Sequence, residues 1–193
     1  TLSGTGYRVR VNSVSPSVTG SSSATFTINS IPSAPAATTT INYCQNQTAV
    51  ALTATGSNLL WYTVATGGSG NSTAPTPSTT SVGASSHWVS QTVSGCQSSR
   101  TKIDVNVTAT PSAPGATTIN YCQNQTAVAL TATGSNLLWY TVATGGSGNS
   151  TAPTPSTTSV GTSSYWVSQT VSSCESSRTK IDVNVTATPS APG

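Results

Sequence analysis

Methionine is absent from this 193-residue sequence, phenylalanine and histidine occur once each, and charged residues make up only 5%. Each shortage excludes something. Lys102 and Lys180 are the only lysines and Glu175 the only glutamate, so strong helix formers are scarce and helices are not expected. The three acids, Asp104, Glu175 and Asp182, cannot assemble a catalytic carboxylate pair or an oxygen-rich calcium loop. The six cations, Arg8, Arg10, Arg100, Lys102, Arg178 and Lys180, give a net charge of +3 but fall in three separate places. They form no basic stripe able to track a phosphate backbone, which argues against a nucleic-acid partner. No apolar run approaches the roughly 18 residues of a membrane helix, so this segment is not expected to insert in a membrane. No signal-peptide pattern opens the chain, and since it does not begin with Met this says nothing of the full-length protein.

What is present is threonine, serine and a repeat. Thr and Ser occur 37 and 34 times. Thr, Val and aromatics suit a pleated surface, and Ser, Gly, Asn and Pro supply turns. Residues 41–110 recur at 119–188, a shift of 78, with four differences: Ala84/Thr162, His87/Tyr165, Gly95/Ser173 and Gln97/Glu175. Such a chain is an array and is read per unit. Pro32-Ser33-Ala34-Pro35 and Pro111-Ser112-Ala113-Pro114 are extended, semi-rigid joints. The expected organisation is a first segment 1–32, repeat units 33–110 and 111–188, and the start of a further joint at 189–193. Residues 6–11 and 24–28 alternate as two strands around a turn at 16–23, like the last hairpin of an upstream domain whose start is missing. On this expectation the chain is a window from a longer array.

Within the first unit, strands are expected at 39–43, 49–54, 58–65, 87–93 and 101–107, with one or two weak edge strands in the Pro-rich stretch 69–81. Many short strands, turns and no helix predict an all-β chain of tandem immunoglobulin-like antiparallel sandwiches. Alternation places Ile103, Val105 and Val107 in the core and sets Val89 opposite Trp88. Leu59 and Trp61 share one face of their strand and Tyr62 takes the other; the pattern leaves open which is buried. Gly67-Gly68-Ser69-Gly70 is followed by neither lysine nor a helix start, and reads as a turn rather than a phosphate cradle.

In order, Tyr43-Cys44, Leu52-Thr53-Ala54, Leu60-Trp61-Tyr62, Ala65-Thr66-Gly67-Gly68, Trp88-Val89-Ser90-Gln91, Cys96-Gln97-Ser98 and Arg100 resemble a bacterial Ig-like repeat. Such repeats occur in very large secreted surface proteins of the Bacteroidetes, including gliding-motility adhesins of flavobacteria. The resemblance covers 41–110 and 119–188, and residues 1–32 only loosely. It implies stalk or adhesive modules at the cell surface, exported across the outer membrane by a system that reads a separate C-terminal domain.

The cysteines come one pair per unit, Cys44 with Cys96 and Cys122 with Cys174, each 52 positions apart. An even count in a low-charge, extracellular-looking chain favours bridges within each unit over four buried thiols. Those bridges require Cys44 to lie beside the start of the last strand, since ordinary Ig wiring puts the two cysteines at opposite ends of the sandwich. Zinc is disfavoured, because two cysteines per unit do not close a tetrahedral site. His87 lacks a partner base or carboxylate and reads as the structural counterpart of Tyr165, at the place of a tyrosine corner.

Should Trp61 be core, Tyr62, Trp88, Arg100 and Lys102 form an outward aromatic and cationic row, repeated as Tyr140, Trp166, Arg178 and Lys180. Such a row could stack on sugar rings; its structural alternative is a self-contained cross-strand ladder. Six Asn-x-Ser/Thr triplets, at Asn46, Asn71, Asn106 and their copies, are no more than chance gives in so Ser/Thr-rich a chain. No nucleophile, base and acid recur together, so no catalysis and no cofactor are expected. The sequence thus predicts an extracellular structural and adhesive module of a bacterial surface stalk or filament. Its partners would be neighbouring repeats of the same chain and a surface polysaccharide or other adhesive substrate. The alternative is a carbohydrate-binding accessory module of a secreted multidomain enzyme.

Overall fold

A computed structural model describes residues 3–189 as strands, turns and loops, with no helix among the described residues. The chain divides into two compact units, Thr1–Tyr43 with Gln47–Asn106, and Cys44–Asn46 with Val107–Gly193. The expected joint at 189–193 lies outside the described residues apart from Pro189.

Ahead of the first joint come β1 (Gly4–Tyr7), β2 (Asn12–Val14), β3 (Ser17–Thr19) and β4 (Phe26–Ile28). β1 pairs antiparallel with β4, and the rings of Tyr7 and Phe26 stack with centroids 5.8 Å apart. The stretch expected to be a plain turn, 16–23, instead contributes β3 to a second hairpin with β2, in the register Ser13↔Val18. Val9, Val11 and Val14 are exposed, so this segment buries little.

The first repeat contains β5 (Ala36–Ala37), β6 (Thr40–Cys44), β7 (Ala54–Thr55), β8 (Leu60–Tyr62), β9 (Gly83–Ser90), β10 (Thr92–Val93), β11 (Cys96–Gln97) and β12 (Thr101–Thr108). The second contains β13 (Ile119–Cys122), β14 (Leu137–Tyr140), β15 (Gly161–Val171), β16 (Cys174–Glu175) and β17 (Thr179–Thr186). The main sheet has the order β6-β12-β9-β8 in the first and β13-β17-β15-β14 in the second. β17 runs antiparallel to β15 but parallel to β13, with Ile119↔Val183 and Cys122↔Thr186 in register. The first strand of the unit therefore ends beside the end of the last strand.

Alternation in the last strand sets the core. Ile103, Val105 and Val107, and their copies Ile181, Val183 and Val185, are buried, while Lys102 and Lys180 stay exposed. Each such apolar side chain contributes roughly 1.5–3 kcal/mol by leaving water. Around them pack Tyr43, Leu52, Trp61 and Val89 in one unit and Tyr121, Leu130, Trp139 and Val167 in the other.

The covering layer is less regular than expected. Residues 49–54 and 69–81 form almost no strand: β5 and β7 pair over two residues each, a pairing reduced in the second repeat to the bridge Gly115↔Thr133. Proline supplies no N–H to a ladder, so this layer is held by single contacts. Leu52 N donates to Pro75 O at 2.9 Å, Trp61 and Asn71 exchange backbone bonds, and Thr79 Oγ1 donates to Gln47 O.

Candidate functional site: the aromatic face and the cysteines

The aromatic row exists as a cross-strand feature. In the second unit Tyr140 lies opposite Trp166, and Trp166 opposite Lys180, on three neighbouring strands. In the first unit Tyr62 lies opposite Trp88. Its exposure departs from expectation: Trp61 and Tyr62 are both buried, at 5% and 6% exposure, and their copies Trp139 and Tyr140 match them. Trp61 enters the core, and Tyr62 is covered on the opposite face by residues that return after β11.

Arg100 lies directly over the ring. Its guanidinium carbon sits 3.3 Å from the Tyr62 ring centroid, Nη1 donates to Val64 O at 2.6 Å, and Nη2 donates to Gly67 O at 2.7 Å. Gly67 and Gly68 have φ of 65° and 69°, the left-handed turn that brings those carbonyls within reach. Arg178 repeats the arrangement, 3.2 Å from the Tyr140 centroid and bonded to Val142 O at 2.8 Å. Lys102 pairs with Asp104 at 2.8 Å and Lys180 with Asp182 at 2.9 Å. Asp104 is held below the usual carboxylate range by its hydrogen bond with Lys102, then by Ser86; Asp182 likewise by Ser164, then Lys180. Trp88 and Trp166 are half-buried. The row is thus a ladder whose cations are engaged within each unit.

One of the four differences between the copies falls here, where sequence reasoning assigned nothing. Gln97 Nε2 donates to the Tyr62 hydroxyl and to Ser90 Oγ. Glu175 cannot donate; instead it accepts from the Tyr140 hydroxyl and from Ser168 Oγ, both at 2.6 Å. The exchange reverses the direction of two hydrogen bonds and keeps both. Those bonds, Ser168 first and Tyr140 second, hold the Glu175 carboxyl below its usual range against the opposing effect of burial. Ser90 and Ser168 are fully buried, so the network also satisfies polar groups that would otherwise be stranded. The only sequence signal for it was that Gln97 and Glu175 differ between otherwise matching motifs.

His87 and Tyr165 sit in the middle of β9 and β15 rather than at a strand corner, Tyr165 opposite Ile181. Burial lowers the His87 imidazole pKa, and Nδ1 is buried without a hydrogen-bond partner. His87 lines a groove of about 210 Å³ with Trp61, Tyr62, Asn71 and Pro75; the matching groove at Tyr165 measures about 220 Å³. Both are smaller than the ~300–1,000 Å³ usual for small-molecule sites. Among the described residues no three His, Cys, Asp or Glu side chains gather as metal ligands. No helix among them is long and apolar enough to cross a membrane.

The cysteines correct the expected pairing. Cys44 is bonded to Cys174, at a sequence separation of 130, while Cys96 and Cys122 are free thiols. The parallel pairing of β13 with β17 is the reason. Cys122 lies opposite Thr186, whereas Cys174 precedes Thr179, the first residue of β17. At about 3.3 Å per residue the strand alone separates them by roughly 23 Å, against the ~4.4–6.8 Å a disulfide allows. Cys44–Asn46 belongs to the second unit, where Cys44 Sγ also lies 3.8 Å from Ser173 O and Gln45 N donates to Thr108 O. In the chain-entropy account, closing a loop of this length stabilises by about 5 kcal/mol.

Two near-identical all-β copies in tandem are the pattern of a repeat family. The sequence profile of the Ig-like domain family described as CHU_C associated matches residues 32–109 and again 111–189. The chain belongs to this Ig-like domain family. It is a Bacteroidetes-type repeat family, as the resemblance of the motifs implied, and it makes the chain a tandem Ig-like structural module. A comparison with curated proteins returns no match.

Proposed function

We propose that the tandem Ig-like units serve as spacer modules in an extended stalk or filament on a bacterial cell surface, carrying load and distance rather than catalysis. The observation that carries this reading is that the outward face of each unit is closed on itself. Arg100 and Arg178 are committed to tyrosine rings and loop carbonyls, and Lys102 and Lys180 to the neighbouring aspartates. A face already satisfied offers little for a ligand to displace. The Cys44–Cys174 bond and the scarcity of charge support the same reading, since both suit a hydrated extracellular fibre. Strands of eight residues such as β12 span about 26 Å, so units in series on proline joints gain reach with little sequence complexity. Neighbouring repeats are the partners this reading requires.

The second reading, a carbohydrate-binding accessory module, draws on the twin aromatic grooves and the half-buried Trp88 and Trp166. Replacing Trp166 with Ala separates the two. The spacer reading expects a lower unfolding temperature and no retardation of either protein in gels cast with polysaccharide. Retardation of the native chain that disappears in the variant would establish sugar binding and overturn the spacer reading of that face.

A further inference from the structure

The four cysteines are of two kinds. Cys44 and Cys122 end the first strand of their sheets, β6 and β13, while Cys96 and Cys174 open the short strands β11 and β16 of the hairpin before the last strand. The one bond present joins the strand-end kind to the hairpin kind, and the two residues come from different copies. Within one copy the two kinds stand at opposite ends of the sheet. A strand-end thiol can therefore reach a hairpin thiol only outside its own copy, as Cys44 reaches Cys174.

The surroundings of Cys96 give an independent mark of where its partner would come from. Its Sγ lies 3.9 Å from Asn29 O, and Asn29 Nδ2 donates to Ser94 O at 3.0 Å. Asn29 stands three residues before Pro32, as Thr108 stands three residues before Pro111. Thr108 is the residue whose carbonyl accepts from Gln45 N, next to Cys44. The Cys96 hairpin thus contacts the strand end that enters its joint, the place Cys44 occupies before the Cys174 hairpin. Cys122, the free strand-end thiol, is exposed.

We propose that each joint between successive copies of this repeat is closed by one disulfide, from the strand-end cysteine of the preceding copy to the hairpin cysteine of the following one. Cys122 is the half-bond for the hairpin thiol of a following copy, and Cys96 the half-bond for the strand-end thiol of a preceding copy. The partner in both cases is another copy of this repeat, so the inference rests on the stalk reading for the presence of further copies. The chemistry is thiol–disulfide exchange with a small-molecule disulfide such as oxidised glutathione. The Cys122 thiolate attacks it, breaking its S–S bond and releasing one small thiol; the hairpin thiolate then attacks the Cys122 sulfur and expels the second. Two electrons pass from the cysteine sulfurs to the oxidant, and both protons end on its thiols. The proline joint keeps the two cysteines at high effective concentration, which favours this bond over one between separate chains.

The test extends the full chain by a third copy, appending residues 116–188 after Gly193, whose preceding Pro189-Ser190-Ala191-Pro192-Gly193 already repeats 111–115. After oxidation with glutathione, alkylation and intact mass should count two free thiols, and peptide mapping should join Cys122 to the new hairpin cysteine while Cys44–Cys174 persists. No free thiols, with bonds inside each copy, overturns the proposal; so do four free thiols with Cys122 alkylated. A second variant, Cys174→Ser in the extended chain, should free Cys44 and leave the Cys122 bond intact. Loss of the Cys122 bond there would show that it depends on the first bond or on misfolding and would equally overturn the proposal. Polysaccharide retention would sink the stalk reading without altering this bond map, so the two failures are distinguishable.

Discussion

Pulling the chain by its ends should reveal how the Cys44–Cys174 bond redirects load. Force entering at the N-terminal side reaches Cys44 at the end of β6, crosses the disulfide to Cys174, and leaves along β17. Everything between those two cysteines is bypassed. The separation of 130 residues corresponds to about 450 Å of extended chain, at roughly 3.3–3.6 Å per residue. In single-molecule stretching of the oxidised protein that length should stay hidden at any force below rupture of a covalent bond. A phosphine or dithiol reductant should then release it following one cleavage event, with a total contour gain near 450 Å as the shielded sheets unfold. Bridges within each copy would behave otherwise. Each would hide 52 residues and give a separate reductant-dependent gain of about 180 Å. Two gains of that size, or the same contour with and without reductant, would refute both the pairing and the load path built on it.

Two further outcomes test the packing around the aromatic face and the hairpin. Glu175 has a folded-state pKa below its usual 4.5, so the stability it contributes is fully present above that value and is lost as pH falls through the lower folded value. As pH falls below the usual glutamate value, Glu175→Gln should reduce the fall in the unfolding temperature of the second unit; an unchanged pH profile would show that the Tyr140 and Ser168 bonds do not depend on the charge. The hairpin turn before Cys174 has Ser172 and Ser173 at φ 50° and 65°, where the first copy has Ser94 and Gly95. Ser173→Gly should therefore stabilise the second unit by about 1 kcal/mol, read as a rise in denaturant midpoint, and a fall would mean the serine makes a compensating contact.

The last strand was legible because one face of it is core and the other solvent, so period-two alternation in Lys102–Val107 carried the answer directly. Tyr62 was not legible by the same rule. Its strand is buried on both faces, and an apolar run such as Leu59-Leu60-Trp61-Tyr62 is the pattern that alternation cannot resolve. The signal lay elsewhere, in the recurrence of Arg100 and Arg178 at a fixed distance from a tyrosine and a Gly-Gly turn, which the structure turns into a clamp. The covering layer failed for a third reason: Ala49 to Ala54 looks like a strand by composition, but its neighbour across the unit is a proline-rich segment that cannot complete a ladder.

Cysteine connectivity is a property of strand direction, which no spacing encodes. Fifty-two residues between Cys44 and Cys96 invite an intradomain bridge, and only the parallel placement of the first strand beside the last removes that option. The geometric condition on that bridge was visible in advance: it required Cys44 beside the start of the last strand, and the register puts the equivalent Cys122 beside its end. A cysteine at each end of a unit cannot close that unit, yet it is well placed to close a joint. The same reasoning explains why the duplication preserves both cysteines while varying the turn beside one of them: Gly95 and Ser173 change how the hairpin turns, and neither changes which end of the sheet its thiol occupies.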